Sequence, residues 1–164
     1  LRKMKRRYKR EYYEARVKKI KSNISDACVG ADVIVGFPGE TEDDFLETYN
    51  FLNELNISYL HVFTFSERLN TVAFEMCEVV PKAIKTERRK MLHILSDKKQ
   101  RYFHDQFINK NRPVLFESIK NGKILGHTDN YIQVQVKTES NFINTIQDVK
   151  LIDNQNTFVV GDIV

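Results

Sequence analysis

Apolar residues recur at helical spacing in the first part of the chain. From about Arg10 to Ile24, the residues Tyr13, Val17, Ile20 and Ile24 lie three or four positions apart, with lysines between them. This period predicts an amphipathic helix whose lysines face solvent. The helix is expected to lead into a strand.

A short β-branched run at positions 33–35 follows, and it predicts a parallel strand that is covered on both faces. The run ends in Gly36, Pro38 and Gly39, which are typical of a tight turn. Glycines at the carboxyl end of a parallel strand allow a ligand to approach the backbone. Residues 36–40, here named the glycine corner, are therefore either part of a ligand site or only a compact strand-to-helix turn.

A second helix is predicted from about Glu42 to Leu55. Thr41 is a suitable N-cap, and Thr41 with Asp44 resembles a capping box. The apolar positions of this helix are spaced to form one inward stripe, which consists of Phe45, Tyr49, Leu52 and Leu55.

A second strand is predicted at residues 59–65, parallel to the first, because helix and strand alternate up to this point. Residues 66–80 are interpreted as a loop. The polar side chains at its start, Arg68 and Thr71 among them, either face the same site as the glycine corner or only satisfy loop carbonyls.

One long helix is predicted from Lys82 to about Asn109, directly after Pro81, a residue that the first helical turn tolerates. Its apolar positions are expected to face inward: Ile84, Met91, Leu95 and Tyr102. Its basic positions are expected to lie mostly outward: Arg88, Arg89, Lys90, Lys98, Lys99 and Arg101.

The helical period stops after Arg112, and short strand-like runs begin. They occupy residues 114–119, 124–128, 131–136, 146–152 and 157–160. Asn121-Gly122 between the first two runs is a strong hairpin signal, and Asp129-Asn130 marks a second turn. Four or five short strands within about fifty residues predict a small antiparallel barrel of the oligonucleotide-binding type.

The composition is that of a globular protein. The 164 residues are 41% hydrophobic, enough for one sizeable core or two small ones. Because there is neither a membrane-length apolar run nor a leader pattern, a cytoplasmic protein without membrane association is expected. The chain begins inside a basic pattern at Leu1 and stops in a strand-like segment, so a piece of a longer protein is also expected.

Charge is strongly segregated along the chain. Residues 1–21 carry 11 basic and 2 acidic side chains, residues 22–81 carry 1 and 11, and residues 82–111 carry 9 and 3. The basic blocks suit a polyanion such as RNA or are simply solvated faces. Cys28 and Cys77, the only cysteines, are expected to be reduced, and two cysteines cannot hold an iron–sulfur cluster alone.

Several motifs of this chain resemble the MiaB-like radical S-adenosylmethionine methylthiotransferases, most closely their MtaB-type branch, which acts on threonylcarbamoyladenosine in tRNA. They are residues 4–8 (Met-Lys-Arg-Arg-Tyr), 31–41 (Ala-Asp-Val-Ile-Val-Gly-Phe-Pro-Gly-Glu-Thr), 59–63 (Tyr-Leu-His-Val-Phe) with Ser66, Arg68 and Thr71, and 126–132 (Gly-His-Thr-Asp-Asn-Tyr-Ile) with Val134 and Val136. The last group is similar to the family's TRAM domain, an RNA-binding barrel.

The resemblance implies an α/β fold in three parts. Residues 1–80 would be the C-terminal part of a partial TIM-like radical S-adenosylmethionine barrel, residues 81–111 a linking helix, and residues 112–164 an all-β, OB-like TRAM barrel. It also implies an S-adenosylmethionine site on the strand ends, in which Ile34 and Phe37 offer apolar contact to the adenine. The implied cofactor-binding residues are Ile34, Gly36, Phe37, Pro38, Gly39, Glu40, His61 and Phe63.

The family uses two 4Fe-4S clusters whose cysteines this chain lacks, so the fragment alone is expected to be inactive, with no catalytic residue and no metal ligand of its own. Asn70 and Val72 also replace the glycine and proline common in the family's loop. The expected partner is tRNA, and no stable protein partner is inferred.

Basic and aromatic residues are the candidates for contact with RNA through phosphate pairing and stacking. They are Arg88, Arg89, Lys90, Arg112, Lys120, Lys123 and Tyr131, and also Phe116, unless Phe116 belongs to the barrel core. Two alternatives stay open, a non-catalytic RNA-binding module and a ribosomal-protein methylthiotransferase.

Overall fold

The computed structural model describes residue 4, residues 6–76 and residues 78–164. It divides into two compact units, Leu1–Ser96 and Asp97–Val164. The predictions that concern Leu1, Lys5 and Cys77 lie outside the described residues. Among the described helices, none combines the length and the apolar character that crossing a membrane requires.

The first unit contains a two-stranded parallel sheet whose strands alternate with helices. The order is α1 (Arg10–Asn23), β1 (Gly30–Val35), α2 (Glu42–Glu54), β2 (Tyr59–Thr64) and the first part of α3 (Lys82–Asp105). Gly30 lies opposite Tyr59, and the register continues to Val35 opposite Thr64. The predicted alternation and the parallel pairing are both confirmed.

The core of the first unit lies on one face of this sheet. Its strand residues are Ala31, Val33, Val35 and Leu60, and its helix residues include Val17, Phe45, Leu52, Leu92 and Leu95. On the other face of β1, Asp32 is exposed and Ile34 is only half-buried. The prediction that this strand is covered on both faces is therefore wrong for the described residues, because the helices pack against one face only.

Two predicted apolar stripes are partly wrong. In α1 only Val17 is buried, whereas Ile20 and Ile24 are exposed. Lys21 is half-buried instead, its Nζ donates to the Ala27 carbonyl at 2.5 Å, and burial lowers its pKa. In α3 the side chain of Tyr102 is exposed. In α1 the packed arc is narrower than the apolar pattern, because the sheet of the first unit has only two strands.

Side-chain hydrogen bonds fix two elements of the first unit. The capping box is present, with Thr41 Oγ1 accepting from Asp44 N at 3.1 Å and Asp44 Oδ2 accepting from Thr41 N at 3.0 Å. Buried Ser96 of α3 accepts from Leu60 N at 2.8 Å and donates to Leu60 O at 3.1 Å. This second pair ties α3 to the backbone of β2.

The second unit is a closed five-stranded barrel that follows the end of α3. Its strands are β3 (Asn111–Lys120), β4 (Lys123–Thr128), β5 (Gln133–Lys137), β6 (Ile146–Asn154) and β7 (Val159–Ile163). Their order around the barrel is β3-β4-β5-β7-β6. The β5–β7 pair is parallel, so the prediction of an all-antiparallel barrel is wrong at this pair. The segment after β5 crosses to the opposite side of β7 instead of turning back as a hairpin.

The barrel interior is filled by alternate residues of each strand. Among its fully buried side chains are Val114, Phe116, Ile124, Val134, Val149 and Leu151. Phe116 therefore belongs to the core and cannot stack on a base, because its position in β3 points inward. At the predicted hairpin, Asn121 and Gly122 have φ values of 53° and 71°, the two positive values that a type I′ turn needs.

Acidification is expected to destabilise the second unit through His104. This side chain is buried beside Phe103, its Nδ1 has no hydrogen-bond partner, and burial lowers its pKa from the ordinary 6.5. Below pH 6.5 the unfolded chain takes up a proton that the folded chain excludes, so stability falls as the pH falls. The thermal midpoint measured from pH 8 to pH 5 should decrease more for the wild type than for His104→Phe. The exposed His93 provides the matched control, and a His93→Gln variant that abolished the pH dependence instead would contradict this assignment.

Candidate functional site

The glycine corner is a tight backbone turn at the carboxyl end of β1. Gly36 and Gly39 have φ values of 78° and 79°, in the left-handed region that other residues rarely adopt. Glu40 N donates to Phe37 O at 2.9 Å, and Gly39 N donates to Glu78 O at 2.8 Å. Pro38 is fully buried within the turn. The corner is therefore fixed by its own backbone and by the loop before α3.

A buried arginine from α3 holds the end of the corner. Arg88 is 4% exposed and donates to Glu40 Oε1 at 2.6 Å, to Glu40 O at 3.2 Å and to Glu42 Oε2 at 2.9 Å. The other carboxylate oxygen of Glu40 accepts from Gly36 N at 3.1 Å. Glu40 thus joins the first residue of the corner to α3.

The charge of Arg88 is maintained despite its burial. Burial opposes the charged form, but the hydrogen bonds and charges of Glu42 and Glu40 outweigh it and raise the pKa of the guanidinium above its ordinary value. The guanidinium also lies 5.2 Å from the ring centre of Phe45. The prediction that Arg88 faces solvent is wrong, and a side chain enclosed in this way cannot reach an RNA phosphate.

The pairing of buried Arg88 with Glu40 and Glu42 has a signal in the sequence, which a count of charges along the chain does not reveal. Arg88 falls on the inward side of α3, between the apolar positions Ile84 and Leu92, so a charge interrupts an otherwise apolar stripe. A charge in such a position is normally paired. The acidic residues that begin α2 were the available partners.

A second side chain of α3 covers Gly36. A Cβ atom at Gly36 would lie 2.5 Å from Lys85 Cγ. The ammonium of Lys85 lies 3.5 Å from Glu67 Oε1 and 5.8 Å from the ring centre of Phe65. The side chain of Lys85 can therefore cross the glycine corner only because residue 36 has no Cβ atom.

Replacing Gly36 by alanine is expected to destabilise the first unit by about 2 kcal/mol. The left-handed conformation alone costs a non-glycine residue about 1 to 2 kcal/mol, and the methyl group would also displace Lys85. Gly122→Ala is the matched control, because Gly122 has a φ of 71° but nothing within 4 Å of its Cβ position. Urea denaturation should give the smaller loss for Gly122→Ala, and equal losses would contradict the role assigned to Lys85.

The sheet face opposite the core carries several of the predicted cofactor residues. Asp32 lies opposite His61, and Ile34 lies opposite Phe63, so these four side chains share what is here named the open face. Phe63 is 53% exposed and His61 is exposed. The open face presents apolar surface next to polar groups at the strand ends.

A cavity of about 960 Å³ adjoins β1 and the glycine corner. Its walls bring together five of the eight predicted cofactor residues, Ile34, Phe37, Pro38, Gly39 and Glu40. Gly36, His61 and Phe63 do not line it. Further walls come from the residues before α1, from the start of α1, from β1 and from α2. Their charged side chains are the basic Arg6, Arg7, Lys9 and Arg10 and the acidic Glu11, Asp32, Asp44 and Glu47.

The apolar part of this surface is compatible with a nucleoside-like molecule. The side chains of Ile34 and Phe37 suit a flat heterocycle, whereas the amides of Gly36, Gly39 and Glu40 are already bonded within the corner. In contrast, no group of three or more potential metal ligands occurs among the described residues. Cys28 is half-buried, and burial raises the pKa of its thiol, so this residue is not an activated thiolate.

The other predicted RNA contacts have unequal access to solvent. Arg89, Lys90, Lys120 and Lys123 are exposed, and Tyr131 is 76% exposed. Arg112 is already engaged, because Nη2 lies 2.9 Å from Asp129 Oδ1 and the guanidinium lies 5.1 Å from the ring centre of Phe107. In the loop before α3, Thr71 donates to Arg68 O at 2.7 Å, as in the interpretation that it only satisfies loop carbonyls.

The chain is similar to curated tRNA-modifying enzymes. It is 38% identical over 157 residues to the threonylcarbamoyladenosine tRNA methylthiotransferase MtaB of Bacillus subtilis. The matched region covers 93% of this chain and 35% of that protein. The MtaB protein of Aquifex aeolicus is 41% identical over 132 residues, 80% of this chain and 31% of that protein. The tRNA-2-methylthio-N(6)-dimethylallyladenosine synthase of a Thermoanaerobacter species is 33% identical over 167 residues, 100% of this chain and 36% of that protein.

The chain thus spans about a third of the length of the curated relatives that it matches. No family model matches it. Among solved structures, a multidomain protein with nucleic acid binding domains from Streptococcus pneumoniae covers 35% of this chain and 23% of its own, with a TM-score of 0.31 and 11% identity. This structural similarity is too low to support an argument about fold or function.

Proposed function

This chain belongs to the tRNA methylthiotransferase family, and from this premise we propose that it is the C-terminal third of a radical S-adenosylmethionine enzyme. The whole enzyme would methylthiolate N6-threonylcarbamoyladenosine near the anticodon of tRNA. The observation that carries the proposal is the similarity to two MtaB proteins over 93% and 80% of the chain. The identities to dimethylallyladenosine synthases are lower, at 32 to 35%. A tRNA substrate also agrees with the cytoplasmic location that the sequence predicts.

Under this proposal, the first unit is the last part of a TIM-like barrel, and the open face points to the barrel interior. Its parallel strands with helices on one face are the arrangement that such a barrel requires. Further strands would then be supplied by the remaining two thirds of the enzyme. The second unit would be a TRAM domain, and its closed five-stranded barrel is compatible with that assignment.

The glycine corner would hold S-adenosylmethionine, which supplies the radical and the methyl group when bound. Ile34 and Phe37 would contact the adenine, and Phe63 would extend the apolar wall. Glu40 would hold the turn in shape and would not contact the cofactor itself, since its carboxylate is already bound by Arg88 and Gly36 N. The cysteine ligands of the two 4Fe-4S clusters would come from the remaining two thirds of the enzyme.

Deletion of the parent gene tests this function. We expect mass spectrometry of digested tRNA to show that threonylcarbamoyladenosine loses its methylthio group, and that the complete gene restores it. Loss from the dimethylallyl nucleoside instead would assign the enzyme to the other tRNA branch. A change in a ribosomal protein with no change in tRNA would contradict the proposal, and no change anywhere would favour a non-catalytic RNA-binding module.

Two matched variants connect this function to the open face. A complete gene carrying Ile34→Asp should fail to restore the nucleoside, because a carboxylate would replace the apolar contact beside the glycine corner. Ile24→Asp makes the same chemical change at an exposed position after α1 and should restore it. Equal restoration by both variants would argue against a cofactor site at the open face.

A further inference from the structure

Tyr131 combines an unfavourable backbone conformation with an exposed aromatic ring. Its φ is 69°, a left-handed value that is uncommon for a bulky residue, and the residue is 76% exposed. Neither feature stabilises the barrel, because the backbone is strained and the ring is not buried. Strain that a fold maintains at an exposed aromatic residue is typical of a binding site.

The turn that carries Tyr131 is held by buried neighbours. Tyr131 N donates to Thr128 O at 2.9 Å, and Thr128 N donates to Ile132 O at 3.0 Å. Thr128 Oγ1 donates to Asn130 Oδ1 at 2.6 Å and accepts from Ile132 N at 2.9 Å. Since Thr128, Asn130 and Ile132 are all buried, the surrounding structure imposes the conformation of Tyr131.

The ring of Tyr131 lies on His127. The two ring centres are 5.0 Å apart with an interplanar angle of 25°, which is a stacked arrangement. His127 Nδ1 lies 2.9 Å from Glu117 Oε2, and this contact orients the imidazole. His127 and Tyr131, here named the aromatic platform, therefore form a fixed aromatic surface at one end of β4.

Three lysines lie side by side at the other end of β4. Lys120 of β3 is opposite Lys123 of β4, and Lys123 is opposite Lys137 of β5. All three are exposed, and none has an ion-pair partner within the part of the chain that the structure describes. Like charges directly opposite one another are destabilising, so this lysine row also costs the barrel free energy.

We infer that the outer face of β4 and β5 binds a single-stranded stretch of RNA, with a base stacked on the aromatic platform and phosphates at the lysine row. The two ends are four residues apart on β4, about 13 Å at the usual rise of a strand. Between them the outward side chains are Leu125, Gln133 and Gln135, and the glutamines can bond base edges.

Single-stranded RNA fits this surface better than duplex RNA, because only an unpaired base can leave its neighbours and stack on a side chain. The second and third strands of five-stranded barrels of this kind form their usual oligonucleotide face. The inference rests on the proposed function, since it assigns part of the tRNA contact to a defined surface.

Binding of fluorescein-labelled decauridylate to the 164-residue chain, followed by fluorescence anisotropy, tests the aromatic platform. Tyr131→Asn should weaken binding about 5- to 150-fold, the usual range for loss of one stacked base. It should not lower the thermal midpoint, because asparagine tolerates the left-handed conformation. Tyr131→Phe keeps the ring and should bind within about twofold of the wild type.

The salt dependence of binding tests the lysine row. Changing Lys120, Lys123 and Lys137 together to glutamine should reduce the slope of log affinity against log salt by about 2, at about 0.7 for each phosphate contact with a single strand. Lys150→Gln, at an exposed lysine of β6, should leave the slope unchanged.

Equal binding of decauridylate by the wild type and Tyr131→Asn would overturn the inference. So would tighter binding of the duplex of decauridylate with decaadenylate than of the single strand, or absence of binding to decauridylate. None of these results would alter the nucleoside analysis of the deletion strain. Conversely, unchanged tRNA nucleosides would refute the proposed function whatever the oligonucleotide results are.

Discussion

Arg88→Met should lower the free energy of unfolding of the first unit by about 2 to 3 kcal/mol, the range for losing hydrogen bonds between a buried charge and its partners. Methionine keeps much of the length and apolar contact of the side chain, so the loss comes from the guanidinium. Glu40 would be left with one of its two partners, Gly36 N, and Glu42 would lose its contact with α3. The change can be measured by urea denaturation.

The expected effect is local, and local measurements can verify it. The Gly39 amide donates across the glycine corner to Glu78 O, so its hydrogen exchange should accelerate in Arg88→Met. Arg88→Lys should give an intermediate loss, because one ammonium cannot bond both carboxylates in the same geometry. Arg89→Met is the matched control at an exposed neighbour, with less than about 0.5 kcal/mol expected. Similar losses at both positions would contradict the role of Arg88.

Gly126→Ala should destabilise the second unit by about 3 kcal/mol or more, at the upper end of what overpacking costs. A Cβ atom at Gly126 would lie 2.2 Å from Leu115 O and 2.9 Å from Phe116 Cα. These are backbone atoms of the neighbouring strand β3, so no side-chain rotation can relieve the overlap. The strands would have to separate where β3 shifts its register between Phe116 and Ser118. Thermal unfolding followed by circular dichroism measures the loss.

Gly161→Ala, on another strand of the same barrel, is a graded control. Its Cβ would lie 2.5 Å from Val149 Cγ1 and 2.9 Å from Lys150 O, so part of the overlap falls on a side chain that can adjust. We expect a smaller loss at Gly161 than at Gly126. The reverse order would show that backbone proximity is not what requires glycine at position 126.

The second unit could be predicted in considerable detail from its sequence. Every strand of the barrel overlaps a predicted run, and the turn at Asn121-Gly122 has the expected geometry. Both depend on residues next to one another along the chain, such as alternating side chains and glycine in a hairpin. The parallel β5–β7 pair could not be predicted in this way, since it depends on the path of the chain between distant strands.

The glycine corner shows the same division in the first unit. Its turn, its capping box and the adjoining parallel strand follow from residues 33–44, because local backbone preferences and short hydrogen bonds produce them. The residues that hold it, Lys85 and Arg88, lie more than forty positions away. Arg88 was placed on the solvent side by its charge alone, and its burial could not be inferred in that way, since it depends on which carboxylates the fold brings near.

The sequence by itself determined where the helices, strands and turns lie, and which resemblance they carry. Only the tertiary structure decided that Arg88 is an internal ion-pair partner, that Phe116 belongs to the core and that Lys120, Lys123 and Lys137 stand in one row. The physical reason is that propensity and periodicity act over a few residues, whereas burial and charge pairing depend on segments that become neighbours only when the chain folds.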